Sequence, residues 1–434
     1  MHLEHLAGAL RNAYPDELLE ILVAEKNIGN STYDGIELGA ERVTKEIEDH
    51  IAKLKEDGKR VEKLSISGYS LGGVVARYVI GLLYTRGVFD TIQPMVSHYW
   101  DRCDSASKYL RWQNFTTFAT PHLGARTPLA GWHNDIFNNL GGRTLSTTGT
   151  QLFLVDSFRE TSRPLLAVMA DPNSIFARGL SGFKRRSVYA NIVNDRAVPF
   201  YTAFMSKTDP FVDLDAINIH YIPGYDNVIL DASKNLASKK TEQPTYWESI
   251  YNTGSNVVNR APMYLLFGAV IPIGATAYLV NAGIQSWRSA ARIKLHEDGN
   301  LGASYRLPLM IEDVQRGADL AMENVMGSTS EEYLEDKDEK EVGKEAAKSE
   351  YASTTDGDRE KKEIESNESE FPTLALTPEQ FDMIDNLGKI GFEKFAVHIQ
   401  KASHSHAAIV VRTNREAFSE GRIVFRHWTE RFEL

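Results

Sequence analysis

A chain of 434 residues with 42% hydrophobic content can bury a large core, yet its formal charge of −11 sits almost wholly in one stretch: residues 331–370 hold 16 Asp+Glu against 7 Lys+Arg. The remainder is nearly neutral and has no basic stripe, which excludes nucleic acid as an expected partner. The single cysteine, Cys103, permits neither an intramolecular disulfide nor a cysteine metal set, so a reducing, intracellular compartment is expected, with no metal and no cofactor.

The opening "MHLEHLAGALRNAYPDELLEILVAE" is amphipathic and lacks the apolar run of a signal peptide. Residues 2–13 place Leu3, Leu6, Ala7 and Leu10 at helical spacing, and 18–25, "LLEILVAE", predicts a strand. Residues 39–57 predict an amphipathic helix with Val43, Ile47, Ile51 and Leu54 on one face. A strand at 63–69 runs into "GYSLGG" and then a helix to about Arg86. "NFTTFAT" (114–120), stopped by Pro121, and "SVYANIV" (187–193) are further strands. Strands alternating with helices predict an α/β fold with a mainly parallel sheet flanked by helices. The stretch between the last two strands, about 122–186, reads as a helical lid inserted above the sheet.

Between Arg260 and Arg288 lie 27 residues without a charge, 261–287. As a helix they would span about 40 Å, against about 30 Å for a bilayer core. Pro272 and Gly274 interrupt the middle; Tyr264, Tyr278, Trp287, Arg288, Arg292 and Lys294 supply the aromatic and basic flanks of a membrane interface. The competing reading is a buried pair of lid helices. Residues 328–371 then read as a disordered acidic linker. At 372–434 order resumes, with Thr377 as N-cap, Pro378 at the first helical position, "FAVHI" (395–399) as the last strand and a helix near "FRHWTERF". The hydrolytic core is thus expected in two parts, 1–260 and 372–434.

"LSISGYSLGG" (64–73) places Ser70 in a G-x-S-x-G pattern between a strand and a helix, a turn that can lift a hydroxyl clear of a sheet. With glycine at about 7% of residues the bare pattern arises by chance in roughly one chain of this length in seven, so its surroundings decide. A serine nucleophile needs a histidine to take its proton and a carboxylate to orient that histidine. In α/β-hydrolase order these follow as Ser, Asp/Glu, His, each after a strand. Asp195 follows "SVYANIV", and His404 and His406 follow "FAVHI". Asp195 could instead serve as a turn residue before Val198-Pro199. Spacing does not separate His404 from His406. His122, after "FATP", could reach the pocket, though supporting it from behind suits its place in the chain order better.

The chain resembles the fungal and plant serine esterases and lipases of the α/β-hydrolase superfamily, a group that includes lipid-droplet phospholipases. The resemblance rests on "TYDGIELGAERV" (32–43), "LSISGYSLGGVVARY" (64–78), "FTTFATPHLG" (115–124), "TGTQLFLVD" (148–156), "YANIVNDRAVPFYTA" (189–203) and "HAAIVVR" (406–412). It implies Ser70 as nucleophile, Asp195 as acid, His406 as base, and an acyl-ester substrate, a glycerophospholipid or glyceride. One departure stands out. The family begins with a strand ending in His-Gly, whose loop gives an oxyanion donor, and none of the 12 histidines here precedes a glycine. That strand would lie inside the sheet between those at 18–25 and 63–69, so the chain is expected to be an incomplete version of a longer enzyme. The remaining oxyanion donor is then the N–H of Leu71.

Two functions follow. The first is a serine lipase or phospholipase, membrane-associated through 261–287 at a lipid-droplet or endoplasmic-reticulum surface; acyl transfer would use the same residues. The second is a membrane-associated scaffold on a hydrolase fold with the oxyanion loop absent. Oligomeric state is not legible.

Overall fold

The computed structural model describes residues 3–27, 29–87, 111–126, 146–234 and 371–434, with 128, 236 and 294. Its centre is a parallel four-stranded sheet in the order β1 (Lys63–Tyr69), β2 (Arg111–Phe118), β3 (Arg185–Asn191) and β4 (Glu393–Val397). β2 is buried along all but its first residue, as befits a strand covered on both faces. Alternate side chains divide between two cores: Phe115 and Val188 face one, Phe118 and Tyr189 the other.

The first face carries α2 (Ile36–Glu56) and α3 (Leu71–Thr85), with α4 (Thr147–Leu152), α5 (Leu165–Ala170) and α6 (Ile175–Ser181). Every residue of α3 from Gly73 to Leu83 is buried, because the helix is wedged between α2, the sheet and α6. The second face carries α1 (Glu4–Ala13) and α10 (Glu420–Glu430), whose Leu6, Leu10, Phe425 and Trp428 pack over Phe118 and Val397. Short α7 (Phe200–Phe204) follows β3, and α9 (Ser405–Ala408) follows β4.

The segment beyond 371 completes the same body. α8 (Pro378–Ile390) starts with a full capping box, Thr377 and Gln380 each accepting from the other's backbone N–H, and buries Met383, Ile384 and Leu387 beside α5. β4 then pairs with β3 from Ser187↔Glu393 to Asn191↔Val397.

Two expectations change. Residues 18–25 form no strand: among the described residues β1 pairs only with β2, and the amides of Glu25 and Lys26 go to the Glu46 carboxylate instead of a ladder. Leu19 and Ile21 still pack on the α1–α10 core while Leu18 and Leu22 are exposed, so the alternation was real but no strand among the described residues pairs with it. The described part of the 122–186 lid is also not above the sheet. α5 and α6 lie in the crossover between β2 and β3, with Leu165 to Ala170 almost wholly buried beside α6 and α8, and α6 packed on α3. Their apolar composition marks core rather than lid. The 261–287 stretch and the 328–370 part of the linker lie outside the described residues; no described helix is long and apolar enough to cross a membrane.

Candidate active site

Ser70 sits at the turn from β1 into α3 with φ 53° and ψ −131°, a strained conformation for a residue bearing a side chain. The turn survives because its neighbours hold it. The Ser70 amide donates to the Phe118 carbonyl at the end of β2, at 2.9 Å. Gly68 and Gly73 let the strand and helix close on each other: a Cβ on Gly68 would lie 2.4 Å from the Gly73 Cα, and one on Gly73 would lie 2.1 Å from the Thr120 hydroxyl oxygen. Gly72, by contrast, has open space where a Cβ would go. Leu71 opens α3, so its N–H belongs to the first turn and has no intrahelical acceptor.

Asp195 lies in the loop after β3, its side chain 2% exposed, and its two oxygens have separate duties. Oδ1 accepts from the amides of Ala197 and Val198 at 3.0 and 2.8 Å, which is the turn role. Oδ2 accepts from Asn191 Nδ2 at 2.8 Å and lies 3.0 Å from His406 Nδ1. His406 stands in α9, just beyond β4, and its Nε2 lies 3.0 Å from Ser70 Oγ. With Asp195 holding the Nδ1 proton, Nε2 is left as the acceptor facing the serine hydroxyl. The result is a serine–imidazole–carboxylate line across three loops at one end of a parallel sheet.

Comparison with known proteins finds similarity to serine esterases over part of the chain. The family described as "Putative serine esterase (DUF676)" matches residues 1–208. The similarity thus covers just under half of the chain. "Putative lipase C4A8.10" of Schizosaccharomyces pombe is 31% identical over 151 residues, 34% of this chain and 16% of that protein. "Putative lipase YDL109C" of Saccharomyces cerevisiae is 27% identical over 211 residues, covering 44% and 28%. "Putative lipase ROG1" of the same yeast is 30% identical over 151 residues, covering 34% and 18%. The chain thus spans under a third of the length of these curated relatives. No solved structure matches it.

The matched segment contains Ser70 and Asp195, while His406 arrives from the other side of the long stretch after residue 236. The other candidate histidines stand apart. His404 is exposed and caps α9 with its carbonyl, which accepts from the Ala408 amide. His122 is fully buried behind the serine turn, Nε2 2.9 Å from Thr117 Oγ1, and burial holds its pKa well below the usual imidazole range. Its carbonyl accepts from Arg77, itself buried in α3 with its pKa lowered to about 10 by desolvation. Among the described residues no cluster of His, Cys, Asp or Glu could hold a metal ion.

Three neighbours escaped the sequence reading: Tyr69, Asn191 and Ser405. Asn191 lies four residues before Asp195 at the end of β3, and Tyr69 and Ser405 flank the nucleophile and the base. Nothing in their spacing marks them; only the fold brings their polar atoms to the line.

Proposed function

We propose that the chain is a serine lipase or phospholipase that cleaves acyl esters of glycerophospholipids or glycerides at a lipid surface. The observation that carries this reading is His406 standing 3.0 Å from both Ser70 Oγ and Asp195 Oδ2. Ser70 Oγ attacks the acyl carbonyl while His406 Nε2 takes its proton, and the oxyanion receives the N–H of Leu71. The tetrahedral adduct collapses, the C–O bond to the alcohol breaks, and the alcohol leaves with the proton from His406. Water, deprotonated by the same nitrogen, then releases the fatty acid and restores Ser70. Asp195 stays ionised throughout and stabilises the imidazolium.

The names of the yeast relatives support an ester of lipid origin, and the uncharged stretch 261–287 supports anchoring at a membrane or lipid droplet inside the cell. The test is labelling with a fluorophosphonate, which reacts with an activated serine. Labelling that disappears in Ser70→Ala supports the reading; a wild-type chain that is folded and unlabelled overturns it in favour of a scaffold. Deleting 261–287 should release the protein from lipid surfaces, and persistent binding would refute the anchor.

A further inference from the structure

The His406 loop is tied down at both ends by residues that are sequence neighbours of the reacting groups. Tyr69, directly before the nucleophile, donates from its hydroxyl to the main-chain carbonyl of His406 at 2.9 Å. Its ring also lies against the imidazole, centroids 5.0 Å apart and planes inclined by 36°. On the other side Ser405, fully buried, donates from its hydroxyl to the Val193 carbonyl at 2.7 Å and from its amide to the Asn194 carbonyl at 3.3 Å. Those two carbonyls belong to the loop that carries Asp195. The backbone of the base is therefore bonded to the nucleophile's neighbour and to the acid's loop.

We infer that Tyr69 and Ser405 are positioning residues, a clamp that fixes the backbone of His406 so that one imidazole meets Ser70 and Asp195 together. This deepens the esterase reading and rests on it. α9 is a single turn with no side-chain cap of its own, so helix geometry alone does not fix where the imidazole points. A shift of about 1 Å in a reacting group can cost about 10²-fold in rate. Both hydroxyls are taken up by main-chain carbonyls, so removing them should alter turnover rather than binding. Burial raises the Tyr69 hydroxyl pKa above its ordinary value, so the group keeps its proton and remains a donor throughout the neutral range.

The test compares Tyr69→Phe, which keeps the ring and removes the donor, with Ser405→Ala, in the full chain. Each is assayed on p-nitrophenyl butyrate, with active serines counted by fluorophosphonate titration and Ser70→Ala as the blank. The expected result is a kcat per titrated serine lowered about 10- to 100-fold in each variant, with KM within about two-fold. The low-field proton resonance of the His406–Asp195 bond should broaden or vanish. If kcat per titrated serine stays at the wild-type value while only thermal stability falls, both hydroxyls merely support the fold and the proposal is overturned. Should Tyr69→Phe fail to fold, Ser405→Ala alone decides by the same two outcomes. A wild-type chain without titratable serine would refute the esterase reading itself, a result distinct from failure of the clamp.

Discussion

Gln380, in the first turn of α8, donates through Nε2 to the carbonyl of Leu123 at 3.2 Å, joining the segment after residue 371 to the loop that leaves β2 beside the serine turn. The same side chain closes the capping box of α8, and it is 1% exposed. Gln380→Ala removes both bonds and leaves the Leu123 carbonyl buried without that donor. A loss of about 2 kcal/mol is expected, read as a lower urea midpoint with an unchanged slope.

The two glycines after Leu71 should behave in opposite ways. Gly73→Ala would drive a methyl group into Thr120, so the serine turn must open or the β2 loop must move. A destabilisation of about 3 kcal/mol is expected, along with loss of fluorophosphonate labelling. Gly72→Ala meets nothing and sits in the first turn of α3. It should keep full labelling and gain a few tenths of a kcal/mol, roughly, from reduced chain entropy. Equal labelling of the two variants would contradict this account of the turn.

The divided duties of Asp195 can be pulled apart. Asp195→Asn keeps a carbonyl oxygen for the amides of Ala197 and Val198 yet loses the charge that holds the His406 tautomer. It should fold normally and lower kcat by about 10⁴-fold. Asp195→Ala should match that loss of rate and also unfold at a lower temperature, because the turn amides lose their acceptor. Calorimetry beside steady-state kinetics separates the two.

Acid stability should carry the signature of His427. It is 2% exposed in α10, its Nδ1 shares a hydrogen bond of 2.9 Å with the Tyr189 hydroxyl, and burial, then the charge of Arg431, lowers its pKa to about 4. Between that value and 6.5 the unfolded chain binds a proton that the folded chain refuses, so stability is full above 6.5, declines as pH falls from 6.5 towards about 4, and levels off below that, where both states are protonated. The contribution is on the order of 3 kcal/mol. A denaturant series over this range should show the slope, and His427→Phe should flatten it; an equal slope in that variant would assign the acid sensitivity elsewhere.

The groups of the candidate site were legible because each follows a strand whose apolar run is strong: β1 before Ser70, β3 before Asp195, β4 before His406. Thr377 and Pro378 likewise marked the start of α8, since capping chemistry is local. What periodicity could not supply was partnership. "LLEILVAE" has strand composition, but a strand exists only beside another, and here the Glu25 amide goes to Glu46, the Leu18 and Leu19 amides to the Pro15 carbonyl, and Leu19 and Ile21 to the α1–α10 core. The apolar runs of α5 and α6 read as lid because burial beneath α8 depends on a segment some two hundred residues later in the chain. Separating His404 from His406 took the resemblance, since both lie within reach of the same strand end; in the fold one faces water and the other faces Ser70 and Asp195.

The β3–β4 pairing has a consequence in time as well as in space. During synthesis Ser70 and Asp195 leave the ribosome first, and the whole stretch up to residue 370 follows before the imidazole that would activate them exists. A nascent chain halted anywhere short of β4 carries a nucleophile with no base. The Ser70–His406–Asp195 line is therefore completed late, by the segment that brings β4 against β3.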